Sequence, residues 1–344
     1  TAYGPLMART LLSRRHLLGL GALAPLTLLA GCFQQRQELL AVRRELPTFW
    51  TSRLASDWGL RWLESPADLQ ADLTGRTNRS QRRPALVQLW DGWASQLPQG
   101  TFQAFGDGPL LARLVRQADP VSRLYGPAGS PALAFPWAVD PWVLLLRDRP
   151  DLERRRQEGW ALLLDPALRG KLVLPSSPRI SISLVGADPA RLAQLRRAAL
   201  ANDERNGLNL LLSGEAEAMV LPRRLTIPLL RRDPRLAVVL PSEGCPLGWN
   251  LLLRPAGAAV PAPLGWLEAA LQDPLLPRLL AAGWVPPLPH DQLERAALFL
   301  PSSQRALLVP PEAVMQRCWS LPPLQASERR TLQQLWDGAA PTAS

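Results

Sequence analysis

Cysteine and histidine, the residues best suited to metal or nucleophilic chemistry, are scarce in this chain: three cysteines (Cys32, Cys245, Cys318) and two histidines (His16, His290). Their spacing includes no CxxC pair and no HExxH run, so neither a metal nor another cofactor is expected. Catalysis has equally little to work with. His16 lies in a segment read below as removed on export, and His290 sits among prolines in Pro-Pro-Leu-Pro-His-Asp. With no nucleophile elbow, phosphate-binding loop or carboxylate pair at a working spacing, the chain reads as a non-enzyme. Cys245 and Cys318 either pair in an oxidising compartment or stay as free thiols, a choice that spacing alone leaves open. The remaining chemistry is acylation at Cys32, and binding by a set of tryptophans, carboxylates and arginines.

The surroundings of Cys32 carry the strongest signal. From Met7 a basic stretch with Arg9, Arg14 and Arg15 is followed by an apolar run over 17–29 and then by small residues, the order of an export signal peptide. The apolar run is short for a hydrocarbon core of about 30 Å, and no later segment reaches the ~18–20 apolar residues that a membrane helix needs. Leu29-Ala30-Gly31-Cys32 resembles the lipobox of bacterial lipoproteins, in which the cysteine thiol is acylated and becomes the first residue. Ser13-Arg14-Arg15-His16-Leu17-Leu18 is similar to the twin-arginine motif, which exports folded proteins; the general secretory route is the alternative. Residues 1–31, with a start at Met7, are therefore set aside from the fold. Residues 32–37 form a lipidated tether that holds the mature protein at the periplasmic side of a membrane.

Composition excludes other classes. The 344 residues are 47% hydrophobic and 20% charged, enough for two ordinary domains with real cores. The net charge of +10 falls only to +7 without residues 1–31, which hold three arginines and no acid. Nearly all of this positive charge is arginine, with Lys171 the lone lysine, and the arginines stand singly or in short groups without glycine-aromatic interleaving. No nucleic-acid partner is expected.

The mature chain alternates short apolar runs with helical periods. Strands are expected over 38–46, 59–64, 84–89, 171–174, 216–220 and 237–240, and helices over 47–57, 152–164, 178–186, 190–202, 207–213 and 327–336. Residues 71–84 read as a polar surface loop. Between 132 and 147 the chain reads as two apolar strand pieces, broken by Pro136 and Pro141, in an extended crossover. No internal repeat is present. This alternation predicts an α/β protein with mostly parallel sheets and ligands at the carboxyl ends of strands.

Four segments, in order, resemble bacterial periplasmic solute-binding proteins of the polyamine (spermidine/putrescine) ABC-transporter type. They are 86–93 (LVQLWDGW), 135–145, 164–179 (LDPALRGKLVLPSSPR, similar to the family's DPxxKGKVxLPDDPR) and 240–255 (LPSEGCPLGWNLLLRP, similar to PxEGxxxWxDxLxIP). The resemblance implies a bilobal type II periplasmic-binding-protein fold, two α/β lobes joined by extended crossovers. It places 38–138 plus 250–288 in lobe 1, 139–249 plus 289–338 in lobe 2, and 339–344 in a tail. It further implies a monomer that closes on a small-molecule solute, a polyamine or another small polar ligand, and presents it to an ABC transporter permease. The positions that map to the ligand site are Glu45, Trp90, Asp91, Trp137, Ser177, Arg179, Trp249 and Asn250.

The chain departs from the family where charge matters. Family acids fall at Ser176, Ser177 and Ile180, and the Trp-x-Asp pair falls at Gly248 and Asn250, with Trp249 shifted by one. An ammonium group buried without a partner costs several kcal/mol, so a multiply charged polyamine is disfavoured, whereas Arg179 and Arg223 suit an anionic or zwitterionic ligand. Two alternatives follow: a binding-fold lipoprotein without a transport ligand that acts as sensor or assembly partner, and a ferric-ion-binding protein. The latter usually uses paired tyrosines, and the mature chain has only Tyr125. Bland roles compete at each residue: the tryptophans as core, Asp91 as a helix cap, Arg179 in a surface ion pair.

Overall fold

The computed structural model describes residues 36–75, 83–204 and 206–341. The expected export signal, with Arg14 and Arg15, and the expected acylation position Cys32 lie outside the described residues. Among those described, no helix is long and apolar enough to cross a membrane.

Eleven strands form one hydrogen-bonded system: β1 (Gln37–Val42), β2 (Trp58–Leu63), β3 (Leu86–Trp90), β4 (Phe102–Gln103), β5 (Ala134–Arg147), β6 (Leu172–Leu174), β7 (Ala199–Asn202), β8 (Ala218–Pro222), β9 (Leu236–Val239), β10 (Pro246–Pro255) and β11 (Trp319–Ser320). The main path runs β2-β1-β3-β10-β5-β8-β6-β7, with β4 and β11 on β10 and β9 on β5. Strands β1, β2 and β3 are parallel to one another, as are β6, β7 and β8. Between these two parallel groups run the antiparallel strands β5 and β10. Buried on both faces, the inner parallel strands β6 and β8 are continuous apolar runs, Leu172–Leu174 and Ala218–Pro222, whereas the edge strands β2 and β7 are partly exposed.

β5 holds the architecture together. Its first part pairs with β10, Ala134 opposite Leu253 through Pro141 opposite Leu247, and its last part, Trp142 to Leu146, pairs with β8. The break expected at Pro136 and Pro141 does not occur: 134–147 is one strand. Pro136 sits where the β10 register shifts between Asn250 and Leu251, and Pro141 sits where β5 exchanges β10 for β8. Neither position calls on a strand N–H, so proline is tolerated.

Most other expected helices are shorter than read, though 327–336 extends to Ala326–Gly338, and a helix that was not expected forms over Pro66–Leu73, where 71–84 was read as a loop. Pro66–Leu73 is started by a capping box, in which the Ser65 hydroxyl accepts from Asp68 N–H and the Asp68 carboxylate accepts from Ser65 N–H. The helix expected over 190–202 ends at Ala198, and Ala199–Asn202 becomes β7, because pairing along β6 overrides local helix preference. Around β5 and β10 the core is aromatic. Trp50 stacks on Trp266 with centroids 4.2 Å apart, and each indole N–H donates to the other's backbone carbonyl, at 3.0 and 2.8 Å. Trp137 packs between Trp50 and Trp284, at 5.0 and 4.7 Å.

Candidate functional site

The carboxyl ends of the parallel strands point their loops at one region, where α/β proteins place ligands. After β1 comes Glu45, after β3 Asp91, after β6 Ser177 and Arg179, and after β8 Arg223 and Arg224. The crossing strands β5 and β10 contribute Asp140, Trp249 and Asn250. These side chains form two polar clusters.

The first cluster is centred on Asp91, which is buried. Its Oδ2 accepts the Tyr125 hydroxyl hydrogen at 2.6 Å, and its Oδ1 accepts Trp249 N–H at 3.2 Å. Burial raises the Asp91 pKa from 3.8 to about 6, against the lowering effect of the bonds from Tyr125 and the backbone. Tyr125 reaches this position from a turn in which Leu124 and Tyr125 both have positive φ, 50° and 63°. Such a conformation costs on the order of 1–3 kcal/mol in a non-glycine residue and is held by its surroundings. Burial and the Asp91 carboxylate both push the Tyr125 phenol well above its ordinary range. The Trp249 indole N–H donates to Ser320 Oγ at 2.9 Å.

Arg179 stands beside this cluster. Its guanidinium donates to the backbone carbonyls of Leu321 and Pro322, at 3.3 and 2.5 Å, and partial burial pulls its pKa down. With Ser177 on the same side, and Gly92, Ser95 and Gln96 opposite, it lines a cleft of about 260 Å³, closed on a third side by 321–333. Arg329 joins Arg179 in the lining, and no carboxylate does.

The second cluster joins Glu45, Trp90, Asp140, Arg224 and Trp284. The Trp90 indole N–H donates to Glu45 Oε2 at 2.8 Å, and the same oxygen accepts from Arg224 Nη2 at 3.0 Å. Asp140 Oδ1 accepts Arg224 backbone N–H at 3.0 Å, while its Oδ2 lies 3.6 Å from Arg224 Nε. The Arg224 guanidinium carbon lies 3.9 Å from the centroid of the Trp284 ring, a cation–π distance. Burial raises the Asp140 pKa, and Arg224 and Arg223 oppose that rise.

Three expected ligand residues lie deeper. Trp137 is fully buried among Trp50 and Trp284, with its indole N–H unpartnered. Asn250 is fully buried, and its Oδ1 accepts from Gln88 Nε2 at 3.4 Å. Trp249 faces a second cavity of about 380 Å³, mainly apolar, with Val139, Val285 and Met315. Arg223, read as suited to an anion, is buried and donates to the carbonyls of Leu307 and Gly283.

Sequence reasoning missed Asp140, Arg224 and the Tyr125–Asp91 pairing. A signal for the first existed: Asp140 is the one acid inside an apolar run of fourteen residues, AFPWAVDPWVLLLR. Arg224 was visible as half of a pair directly after an apolar strand. Tyr125 carried no local signal, since its role depends on a turn shape. Cys245 and Cys318 are buried free thiols with sulfurs 3.3 Å apart. Among the described residues, no group of three His, Cys, Asp or Glu side chains is placed to hold a metal ion.

No protein-family model matches the sequence, and no curated protein matches it. Solved structures do. A spermidine/putrescine ABC transporter substrate-binding protein from Streptococcus pneumoniae aligns with a TM-score of 0.63 at 11% identity, over 89% of this chain and 98% of that one. The substrate-binding protein of an ABC transporter from Agrobacterium tumefaciens gives 0.62 at 13% identity, over 88% and 95%. A periplasmic thiamin-binding protein gives 0.59 at 13% identity, over 89% and 96%. Taken with the two parallel strand groups and the crossing strands β5 and β10 between them, these alignments show that the protein has the bilobal type II periplasmic-binding-protein fold, two α/β lobes joined by extended crossovers.

Proposed function

We propose that this protein is an extracytoplasmic solute-binding lipoprotein of an ABC uptake transporter, exported by the signal in residues 1–31 and anchored through Cys32. The supporting observation is the cleft between Gly92–Gln96, after β3, and Ser177–Arg179, after β6: each parallel strand group supplies one wall. Two lobes that close over a solute in such a cleft present a distinct shape to a permease, and closure is the signal.

The lining favours a small anionic or zwitterionic solute. Arg179 and Arg329 supply guanidinium groups that suit a carboxylate, and the hydroxyls of Ser95 and Ser177 can donate to it. A polyamine fits poorly, because the nearby acids are already engaged: Asp91 by Tyr125, Glu45 and Asp140 by Arg224. At about 260 Å³ the cleft suits a molecule of amino-acid size more than a long polyamine.

That same engagement of the acids favours a second reading, a lipoprotein that keeps the binding fold without a transport ligand and serves as sensor or assembly partner. A thermal-shift screen separates the two. Small carboxylates, amino acids, spermidine, putrescine and ferric ion would each be added to the mature protein and to Arg179→Ala. A carboxylate at ~100 Kd should stabilise the wild type by ~2.7 kcal/mol and the variant by less. No shift with any compound would favour the second reading, and a shift with spermidine alone would overturn the anionic assignment.

A further inference from the structure

Arg224 sits where a cationic guest would. Its guanidinium faces the carboxylates of Glu45 and Asp140 and covers the ring of Trp284, and Trp90 braces Glu45 from the far side. The Arg44 carbonyl accepts from Nη1 at 3.5 Å, and Arg44 itself has φ of 69°, so the turn after β1 is held in a strained shape that aims both this carbonyl and Glu45 at the guanidinium. Two carboxylates, a carbonyl and an aromatic face are the elements that bind a free guanidinium or alkylammonium ion. The arginine side chain is only 9% exposed and that of Asp140 3%, while Glu45 is 22% exposed, so water reaches the cage only at its Glu45 edge.

The connectivity of the cage matters as much as its chemistry. Glu45 follows β1 in one parallel strand group, Arg224 follows β8 in the other, and Asp140 lies on β5, which pairs with β8 of the second group and meets the first through β10. A charge pair with Glu45 therefore ties the two groups together on the side toward which their loops point. Arg224 Nε and Asp140 Oδ2 have no hydrogen-bond partner although both are buried. At 3.6 Å they hold an ionic contact short of a hydrogen bond. The neighbouring Arg223 cannot take over, since its guanidinium is spent on the carbonyls of Leu307 and Gly283.

We infer that Arg224 is a built-in occupant of a cation cage formed by Glu45, Asp140 and Trp284, and that it sets the protein's specificity by keeping cationic solutes out and latching the two strand groups together. The inference rests on the solute-binding reading only for its consequence for specificity; the cage and the latch are properties of the fold.

The test is chemical rescue with methylguanidinium on the mature protein. Arg224→Ala should melt several degrees below wild type, and millimolar methylguanidinium should restore most of that loss while leaving wild type unmoved. Arg224→Ala combined with Glu45→Gln should lose the rescue. Arg196→Ala, which removes a guanidinium that lies 4.9 Å from the Trp336 ring and makes no ion pair among the described residues, should show none. A wild type that responds as Arg224→Ala does, or a folded Arg224→Ala that ignores the probe, overturns the inference. Should Arg224→Ala fail to fold, Arg224→Lys carries the test through spin labels at Ala67 and Ser213, exposed positions on helices that pack against β1–β2 and β8, one on each strand group. Lysine keeps the charge but lacks the planar fork, so the label-to-label distance should broaden relative to wild type, and an unchanged distribution would reject the latch. A carboxylate shift that survives in wild type when rescue fails would refute the cage while leaving the proposed function standing.

Discussion

The hydroxyl of Tyr125 donates to Asp91 Oδ2 at 2.6 Å, and this bond ties a strained turn to the carboxyl end of β3. It does not keep Asp91 at an ordinary acidity: burial outweighs it, and the carboxyl titrates at about 6 instead of 3.8. A folded-state pKa above the unfolded value means that the native protein binds the proton more tightly. The stability held by protonated Asp91 is therefore lost as pH rises from about 4 through about 6. The shift corresponds to about 3 kcal/mol at neutral pH. Asp91→Asn should cancel it, because the amide carries no charge and its oxygen can still accept from Trp249 N–H. Urea unfolding of both proteins from pH 4 to pH 8 isolates the group, since carboxylates paired with surface arginines contribute equally to both curves. The variant should gain on wild type across that window; a constant difference would show that Asp91 is already ionised in the fold.

Gly248 leaves room for the Trp90 ring. A Cβ at 248 would fall 2.2 Å from Trp90 Cζ3, so Gly248→Ala must push the indole off Glu45. We expect a loss of about 1–3 kcal/mol, typical of overpacking at a buried site. The same substitution in a Trp90→Ala background should cost little, and the coupling in a double-mutant cycle should exceed ~1 kcal/mol. Additive costs would mean that the backbone at 248, and not the ring, sets the need for glycine.

How much of this was legible depended on how local each signal is. The apolar runs that became β3, β6 and β8 could be read directly, because strands covered on both faces need continuous hydrophobic side chains. The segment 134–147 was legible as a crossover but not as one strand, since proline tolerance at 136 and 141 depends on which partner lies opposite. Glu45, Trp90 and Asp91 were found through the family resemblance. Their partners were not, because Tyr125 is thirty-four residues from Asp91 and Arg224 is 179 residues from Glu45, and only the folded chain joins them. Trp137 and Asn250 have side chains that suit a ligand, yet their places in the core follow from sheet register, which the sequence does not display.

The proposed anchor makes a separate prediction. Cells that express the full chain and are fed an alkyne-bearing palmitate analogue should yield labelled protein in the membrane fraction. Cys32→Ala should abolish the label and release the protein, because a lipid chain adds about 0.8 kcal/mol of membrane affinity per buried CH₂. Equal labelling of the variant would move acylation to another residue and remove Cys32 from the assignment.

Cys245 opens the approach to β10 and Cys318 the approach to β11, and their sulfurs lie 3.3 Å apart out of contact with solvent. Burial and the neighbouring sulfur push the Cys245 thiol up, whereas the hydrogen bond within the pair draws Cys318 down. In an oxidising compartment with a thiol–disulfide exchange catalyst, one of the two thiolates, reached before this part of the chain packs, attacks the catalyst's disulfide, and the other cysteine then resolves the mixed disulfide and leaves the catalyst reduced. The bond would close a loop of 73 residues and stabilise the fold by about 4 kcal/mol on the chain-entropy account. Protein recovered from the exported fraction should therefore resist maleimide labelling under denaturing conditions until it is reduced. Cytoplasmic protein should take two labels at these positions and unfold at lower urea. Exported protein that labels fully without reduction would show that both thiols stay free.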